Sequence, residues 1–350
     1  MEIIRINDCI IGEGSPAFVI AEVGQSHDGS LGLAHSYIDA IADTGADAVK
    51  FQTHCASDES TLDDVFRVKF SRQDASRFDY WKRMEFSREQ WKDLASHANE
   101  RGLIFLSSAF SVTMLDMLLD IGVSTIKVAS GEVTHEPFME KIKEAGLPVL
   151  LSTGMSSWNE IIHCVTSLQA DNVPVVPMQC TSQYPTPLEK VGLNILDELR
   201  HRFSLLVGLS DHSGSIYPSL AAIARGINVL EVHVTLSREM FGPDTSSSLT
   251  LDELKMIIDY RSAVLTMDNS PINKDCVAEE LSEMRQLFSR SIALVKTLEK
   301  GATLTEADIT LKKPGSGIPA SQIDRVIGQS LLRRVESNRL LKWEDVSENQ

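Results

Sequence analysis

The chain has 350 residues and a formal net charge of −16, with 33 Lys and Arg against 49 Asp and Glu. A content of 43% hydrophobic and 23% charged residues is typical of a globular protein and excludes a disordered or fibrous chain. No run of about 18 apolar residues occurs, so the sequence predicts neither a membrane span nor a signal peptide, and we expect a cytoplasmic protein. The five cysteines are scattered with no CxxC pair, which disfavours a disulfide framework or a thiolate zinc site.

The charge is distributed unevenly along the chain. Residues 281–350 contain 11 basic and 9 acidic side chains, a net +2, so residues 1–280 carry −18. An acidic body without a basic stripe makes nucleic acid an unexpected partner. An anionic substrate would therefore need a locally positive pocket.

Eight β-rich runs follow one another along the first 267 residues, separated by helical segments. They are AFVIAE (17–22), AVKFQ (48–52), LIFLSS (103–108), TIKVAS (125–130), PVLLST (148–153), VPVVPMQCT (173–181), SLLVGLS (204–210) and NVLEVHV (228–234). Ser87 with Gln90, and Thr250 with Glu253, have the spacing of capping boxes, and the second predicts a helix over about 250–267. Eight strand–helix alternations predict an α/β fold, a (β/α)8 TIM barrel over residues 1–267. A doubly wound sheet is disfavoured because no glycine fingerprint follows the first strand.

The remaining chain predicts a second, smaller domain. Residues 268–281 are polar without a clear period and predict a linker. Residues 282–350 contain short strand-like pieces (SIALVKTL, ATLT, ITLKKPG, LLRRVES) and turn glycines, which predict a small β-rich domain. A core of this size is marginal alone, so we expect this domain to lean on another surface.

Polar side chains end nearly every predicted barrel strand, where the active sites of such barrels lie. They are Glu22, Lys50, Gln52, Ser107, Ser108, Lys127, Ser152, Thr153, Gln179, Thr181, Ser182, Ser210, Asp211, His212, Glu231 and His233. The turn after strand four adds Ser130 and Glu132, with Gly131 between them. Any one of them has an ordinary structural explanation, such as a helix cap. Two lysines, several hydroxyls and the backbone amides of glycine turns at one mouth together predict a positive, donor-rich pocket for a phosphate or carboxylate.

Two histidines and two carboxylates at the same mouth suggest further chemistry. His212 and His233 end consecutive strands, and a pair of neutral imidazoles suits a divalent ion such as manganese. Two ligands fall short of the three or four of zinc sites, so from the residues alone the metal stays open. Glu22 and Glu132, on strands one and four, would hold sugar hydroxyls, move protons, or each pair with a neighbouring lysine.

Blocks of sequence in this order resemble the sialic acid synthases, which condense phosphoenolpyruvate with a sugar of the N-acylmannosamine type. The blocks are FVIAEVGQSHDGS, VKFQTH, IFLSSAFS, IKVASGE, LLSTGMSS, QCTSQYPTP, VGLSDHS and LEVHVTL. The tail segments LKKPGSGI and IGQSLLRRV resemble the C-terminal antifreeze-like (SAF) domain of that family. The resemblance extends from about residue 12 to residue 346.

The resemblance implies a role for most strand-end residues. It implies that phosphoenolpyruvate is bound by Lys50, Ser108, Lys127, Ser130, Ser152, Ser182 and Ser210, together with Gly131 in the turn after strand four. It implies that the open-chain sugar contacts Glu22, Gln52, Tyr184 and Asp211, and that Glu132 transfers protons. It also implies that His212 and His233 bind a divalent ion, Mn²⁺ or Mg²⁺. The resemblance also implies a homodimer with swapped SAF domains, each delivering Lys313 to the other barrel.

Several alternatives remain open at this stage. The acceptor is N-acetylmannosamine, its 6-phosphate, or a bacillosamine-derived sugar that leads to legionaminic acid. A second enzymatic hypothesis is a Schiff-base aldolase that uses Lys127 or Lys50 as nucleophile. A third is a non-enzymatic interaction or ice-facing module, which the basic tail disfavours. The aromatic segment FDYWKRMEF (78–86) is either a lid over the sugar pocket or a surface excursion packed on the barrel.

Overall fold

An antiparallel hairpin, β1 (Ile4–Ile6) and β2 (Cys9–Ile11), precedes a closed parallel barrel. The structure is a computed structural model that describes residues 3–66 and 70–347. The barrel strands are β3 (Phe18–Gly24), β4 (Ala48–Thr53), β5 (Ile104–Ala109), β6 (Ile126–Val128), β7 (Val149–Ser152), β8 (Val175–Cys180), β9 (Gly208–Asp211) and β10 (Val229–Thr235). They pair in chain order, and β10 pairs with both β9 and β3, which closes the barrel. The short strand β11 (Leu249–Thr250) adds to β10. The predicted TIM barrel is confirmed.

Helices cover the outside of the barrel. They are α1 (Leu31–Ala42), α2 (Ala56–Glu59), α3 (Arg77–Met84), α4 (Arg88–Glu100), α5 (Val112–Ile121), α6 (Glu136–Ala145), α7 (Trp158–Ala170), α8 (Leu193–Phe203), α9 (Ile216–Ala224) and α10 (Leu251–Asp268). The capping boxes at Ser87 and Thr250 form as predicted, because each side chain satisfies a backbone amide that the helix start leaves unpaired. No helix among the described residues is long and apolar enough to cross a membrane.

Apolar side chains fill the barrel from two sides. The larger core lies between strands and helices and includes Val49, Phe51, Trp91 and Leu94. A second cluster joins inward residues of the strands, such as Ile20, Leu106 and Val176, to Ile4, Ile6 and Ile11 of the hairpin. The hairpin therefore packs against the apolar interior of the barrel, and the polar strand ends are left for chemistry.

The structure divides the chain into two units, Met1–Asn269 and Ser270–Gln350. The second unit holds α11 (Lys274–Glu280), α12 (Ser282–Phe288), β12 (Ser291–Leu294), β13 (Ile309–Lys312) and α13 (Ile323–Val326). Of the predicted strand pieces, SIALVKTL and ITLKKPG form the antiparallel pair β12 and β13. The pieces ATLT and LLRRVES form only isolated bridges among the described residues: Thr303 pairs with Ser330, and Val335 pairs with Leu298 of SIALVKTL. The domain limits at 267 and 281 stay a prediction, and the predicted linker contains α11, capped by Asn273.

Candidate active site

Two lysines and two glutamates form a buried ionic cluster inside the barrel. Lys50 Nζ lies 2.6 Å from Glu22 Oε2 and 3.7 Å from Glu231 Oε2, and Lys127 Nζ lies 3.5 Å from Glu231 Oε1. All four side chains are at most 4% exposed. Serine hydroxyls complete the cluster, because Lys50 donates to Ser108 over 3.1 Å and Lys127 donates to the serine that ends β7.

This arrangement differs from the positive, donor-rich pocket that the sequence predicts, because two carboxylates accompany the lysines. Burying two ammonium groups without counter-charges would be strongly unfavourable, so Glu22 and Glu231 accompany Lys50 and Lys127. With all four groups ionised, the cluster has no net charge. The structural alternative weighed for Glu22, an ion pair with a neighbouring lysine, is what the structure shows. Each lysine also donates to a serine hydroxyl, so carboxylates are not its sole partners.

Burial and neighbours shift the pKa values of this cluster in different directions. Burial raises the pKa of Glu22, and Lys50 only partly opposes this. Burial acts the same way on Glu231, but Lys127, Lys50 and the hydrogen bond from Ser210 reverse it and lower its pKa. The two carboxylates raise the pKa of Lys50 against the effect of burial, whereas burial prevails and lowers that of Lys127. Glu231 is thus the carboxylate that stays ionised, and Glu22 is the one that gains a proton more readily.

A second group of polar side chains surrounds Gly154, after β7. The backbone amide of Gly154 donates to Ser130 Oγ over 3.1 Å, and Ser130 Oγ lies 3.1 Å from Cys180 Sγ. A Cβ at position 154 would collide with that thiol and lie 2.6 Å from Ser182 Oγ. The predicted residues Ser130 and Ser182 therefore meet at one place. We call these four residues the serine cradle.

If the serine cradle holds phosphoenolpyruvate, as the sequence resemblance implies, replacing Gly154 by alanine is expected to raise the KM for that compound about tenfold or more, and in either case to destabilise the barrel by about 1–3 kcal/mol. The new methyl group would occupy the serine cradle and force the neighbouring side chains outward. Steady-state kinetics and thermal unfolding measure the two effects. Gly32→Ala on α1 is the matched control, since nothing lies within 4 Å of its added Cβ. An unchanged KM would show that the cradle does not hold this substrate.

The two predicted metal-binding histidines lie side by side, with ring centroids 5.1 Å apart. His212 is 5% exposed and His233 is 4% exposed. Burial lowers the pKa of His212 to about 4 and that of His233 well below its ordinary value, so both imidazoles are neutral. His212 Nε2 lies 3.1 Å from the Tyr184 hydroxyl, and His233 Nδ1 is buried without a hydrogen bond.

A divalent cation needs more ligands than this pair of imidazoles supplies. Within residues 3–66 and 70–347, no group of three or more His, Cys, Asp or Glu side chains is arranged to hold a metal ion. Neutral imidazoles are nevertheless the form that binds metals, and an unsatisfied buried nitrogen is available on His233. The pair fits a cation whose other ligands are oxygens from water or substrate.

Polar groups on β3 and β4 form the other side of the mouth. Gln52 Nε2 donates to Glu22 Oε1 over 2.9 Å, and Gln25 Nε2 donates to Gln52 Oε1 over 3.0 Å. The register of β3 against β4 shifts between Glu22 and Gly24, and Gly24 has a φ of +54°. An added Cβ on Gly24 would lie 3.5 Å from Gln52 Nε2 and 3.6 Å from Asp244 Oδ2. This irregularity thus brings the end of β3 against both side chains.

A cavity of about 350 Å³ opens beside Gln52 and Tyr184. Its other lining residues are Gln25, Phe66, Phe70, Arg77, Tyr80, Trp81, Gly242, Pro243, Asp244 and Ser246. The aromatic segment 78–86 supplies two of them through α3. The segment therefore contributes to the wall of this cavity, and its role as a lid over a sugar pocket stays a prediction. Arg83 connects α3 to the loop after β3 through an ion pair of 2.7 Å with Asp28, and it also pairs over 2.8 Å with Asp74 of the loop before α3.

Other predicted site residues have partners outside the ionic cluster. The Glu132 carboxylate lies 2.8 Å from His135 Nδ1 at the start of α6, and the neighbouring Gly131 has only Met155 near its added Cβ, at 3.8 Å. Asp211 is buried and accepts from the backbone amide and hydroxyl of Ser213, which accounts for its position before α9. Lys313 belongs to the second unit, where its Nζ lies 4.9 Å from the centre of the Phe288 ring. The roles of these four residues stay predictions, as do those of the other predicted site residues.

Residues 37–271 match the NeuB family, and residues 289–347 match the SAF domain. The chain belongs to the NeuB family. It is 32% identical to N,N'-diacetyllegionaminic acid synthase of Campylobacter jejuni, over 93% of this chain and 98% of that protein. It is 31% identical to human N-acetylneuraminate-9-phosphate synthase, over 94% and 92% of the two chains. A crystal structure of sialic acid synthetase from Leptospira borgpetersenii superposes with a TM-score of 0.71 at 28% identity, over 81% of this chain and 96% of that one.

In this NeuB-family site, three residues carry contacts that the sequence reasoning did not assign. Glu231 stands at the end of a predicted strand, and its position two residues before His233 could have placed it on the same inward face. Asp244, whose Oδ2 lies 3.7 Å from His233 Nδ1, comes from a loop with no periodic sequence pattern. His54 follows β4 at once and contacts Gln52, but a lone histidine in a loop gives no signal in the sequence.

Proposed function

We propose that this protein is a phosphoenolpyruvate-dependent nonulosonic acid synthase, a transferase that joins phosphoenolpyruvate to an N-acyl hexosamine and releases phosphate. The observation that carries the proposal is the lysine–serine cluster around Glu231, located beside two neutral histidines and a separate cavity with aromatic and polar walls. Membership of the NeuB family supports the same reaction class. In this reaction, C3 of phosphoenolpyruvate bonds to the aldehyde carbon of the sugar, water adds at C2, and phosphate departs from C2.

Phosphoenolpyruvate would bind between the lysines and the serine cradle. Lys50 and Lys127 donate to its negative oxygens, and Ser108 and the serines of strands β7 and β9 orient them. Because these groups are held by one another before substrate arrives, little reorganisation is needed. Glu231 would lie between the two ammonium groups and hold both at fixed positions, and its lowered pKa keeps its carboxylate ionised.

The sugar would occupy the cavity lined by Gln52, Tyr184 and α3. Glu22 lies where this cavity approaches the ionic cluster, and Gln52 donates to it. Since burial raises the pKa of Glu22, this carboxylate can accept a proton from a sugar hydroxyl or return one. Tyr80 and Trp81 would exclude water from the bond that forms.

His212 and His233 would hold a divalent ion, Mn²⁺ or Mg²⁺. Such an ion supplies a Lewis acid for the aldehyde oxygen of the sugar. The chain contributes two neutral imidazoles, and Tyr184 orients one of them through its hydroxyl. We also propose, from the family resemblance, a homodimer in which Lys313 completes the neighbouring site.

Incubation with phosphoenolpyruvate, Mn²⁺ and an acceptor is expected to release phosphate. The acceptor panel contains N-acetylmannosamine, its 6-phosphate and a bacillosamine-derived diacetamido sugar, and a malachite-green assay measures the product. The control reaction omits the sugar, which separates condensation from simple hydrolysis. Release with none of the three acceptors would contradict the proposed function.

A Schiff-base aldolase remains the second candidate because burial lowers the pKa of Lys127, as an amine nucleophile requires. Its test uses pyruvate and borohydride, with mass spectrometry of the intact chain. A trapped adduct on Lys127, with turnover that persists in a chelator, would favour the aldolase. The synthase instead predicts no adduct and a loss of turnover when the metal is removed.

A further inference from the structure

His54 occupies a rigid position between the barrel and the α2–α3 segment. It follows β4 directly and is 5% exposed. Its ring is stacked between Phe110, at a centroid distance of 4.4 Å and an angle of 7°, and Trp81, at 4.1 Å and 22°. A ring covered on both faces cannot turn freely, so its two nitrogens point in fixed directions.

Each nitrogen of His54 meets an oxygen. Nδ1 lies 2.6 Å from Glu59 Oε1, at the end of α2, and Nε2 lies 3.2 Å from Gln52 Oε1. The other oxygen of Glu59 is buried without a hydrogen bond, so His54 is the principal partner of this carboxylate. The histidine therefore connects the α2–α3 segment to the barrel strand that carries Gln52.

The orientation of the Gln52 amide is determined by its neighbours. Its nitrogen donates to Glu22 Oε1, and the reversed amide would instead place oxygen against the carboxylate. Its oxygen then faces Gln25 Nε2 and His54 Nε2. Because an amide oxygen only accepts, this contact needs a proton on Nε2 of His54, and a further proton, on Nδ1 or on the Glu59 carboxyl group, completes the 2.6 Å contact on the other side of the ring.

We propose that His54 is a positioning residue, whose Nε2–H donates to Gln52 Oε1 and holds the amide nitrogen of Gln52 toward Glu22 and the sugar cavity. A chain of contacts then runs from Glu59 through His54 and Gln52 to Glu22. Trp81 of α3 stacks on the same imidazole ring, so the position of α3 also affects the orientation of His54. The inference rests on the proposed function, because it takes the cavity beside Gln52 as the acceptor site.

Two substitutions of His54 separate the effect of the Nε2 hydrogen bond from the effect of the packing of the imidazole ring. The amide nitrogen of glutamine can take the place of Nε2, whereas that of asparagine reaches only the place of Nδ1. His54→Asn is expected to raise the KM for the acceptor about tenfold, the effect of losing one buried hydrogen bond. Its kcat and its KM for phosphoenolpyruvate should change less than about twofold, and His54→Gln should recover most of the acceptor KM.

A second measurement tests the contact without turnover. In long-range ¹⁵N spectra of the histidine-labelled protein, the resonance that His54→Asn removes should be that of an imidazole protonated at Nε2. His163→Asn on the exposed face of α7 is the matched control for folding and kinetics. A Gln52→Ala background completes a double-mutant cycle, in which His54→Asn should add no further increase of the acceptor KM.

The outcomes are distinct. A selective rise of the acceptor KM in His54→Asn, its recovery in His54→Gln and its absence in the Gln52→Ala background support the proposal. Equal acceptor KM values in the two His54 variants, or an Nε2 without a proton, overturn it. Absence of turnover in the wild-type protein with every sugar overturns the proposed function instead, and the nitrogen spectra then still decide whether His54 donates to Gln52.

Discussion

Lys50→Met is expected to abolish phosphate release from phosphoenolpyruvate and to lower the free energy of unfolding by about 3–5 kcal/mol. Lys50 is the partner of Glu22 at 2.6 Å and lies 3.7 Å from Glu231, and all three side chains are buried. Removal of the ammonium group leaves two carboxylates in the barrel interior with Lys127 as the remaining lysine of the cluster. Denaturant unfolding followed by circular dichroism measures the stability, and the phosphate assay measures turnover.

Two further variants separate stability from chemistry. Lys50→Met combined with Glu22→Gln removes one of the stranded charges and should regain at least about 1 kcal/mol without regaining turnover. Lys92→Met, at an exposed position of α4, should change stability by less than about 0.5 kcal/mol. If Lys50→Met unfolds at the same denaturant concentration as the wild-type protein, the cluster does not stabilise the barrel as the distances indicate.

His212→Ala is expected to reduce metal-dependent turnover at least about a hundredfold while the barrel stays folded. His212 is one of the two neutral imidazoles proposed to bind the cation, and its removal leaves His233 as the one remaining imidazole of the pair. Manganese binding, followed by electron paramagnetic resonance of the free ion, should weaken together with turnover. This second readout matters because it reports on the cation without depending on the sugar.

The control for this prediction is His201→Ala, an exposed histidine on α8. Its turnover and manganese affinity should equal those of the wild-type protein. Full activity of His212→Ala in buffer that contains a chelator would contradict the metal role. Unchanged manganese affinity with lost turnover would instead assign His212 to the substrate, through the hydrogen bond that its Nε2 shares with Tyr184.

The sequence by itself determines the barrel. Eight β-rich runs with helices between them reappear as β3 to β10, and the helix that begins at Thr250 starts where its capping box predicts. These features are local, because strand alternation and helix caps depend on residues a few positions apart. The sequence also places the polar residues at the strand ends together, because the carboxyl ends of parallel strands lie at one mouth of a barrel.

Only the tertiary structure decides how those polar residues are paired. Glu231 balances two lysines that are 181 and 104 positions earlier in the chain, and no local pattern records this. The balance exists because buried ammonium groups need nearby carboxylates, and closure of the barrel determines which ones are in reach. For the same reason the predicted positive pocket is an electrically balanced cluster.

The loop contributions are likewise decided by tertiary packing. His54, Glu59 and Trp81 lie between β4 and the end of α3, and their shared contact depends on the stacking of one imidazole between two aromatic rings. Short-range propensity specifies strands and helices, whereas the direction of a side chain in a loop depends on what packs against it. The sequence thus determines the barrel and the residues at its mouth, and the fold decides which of them hold one another in place.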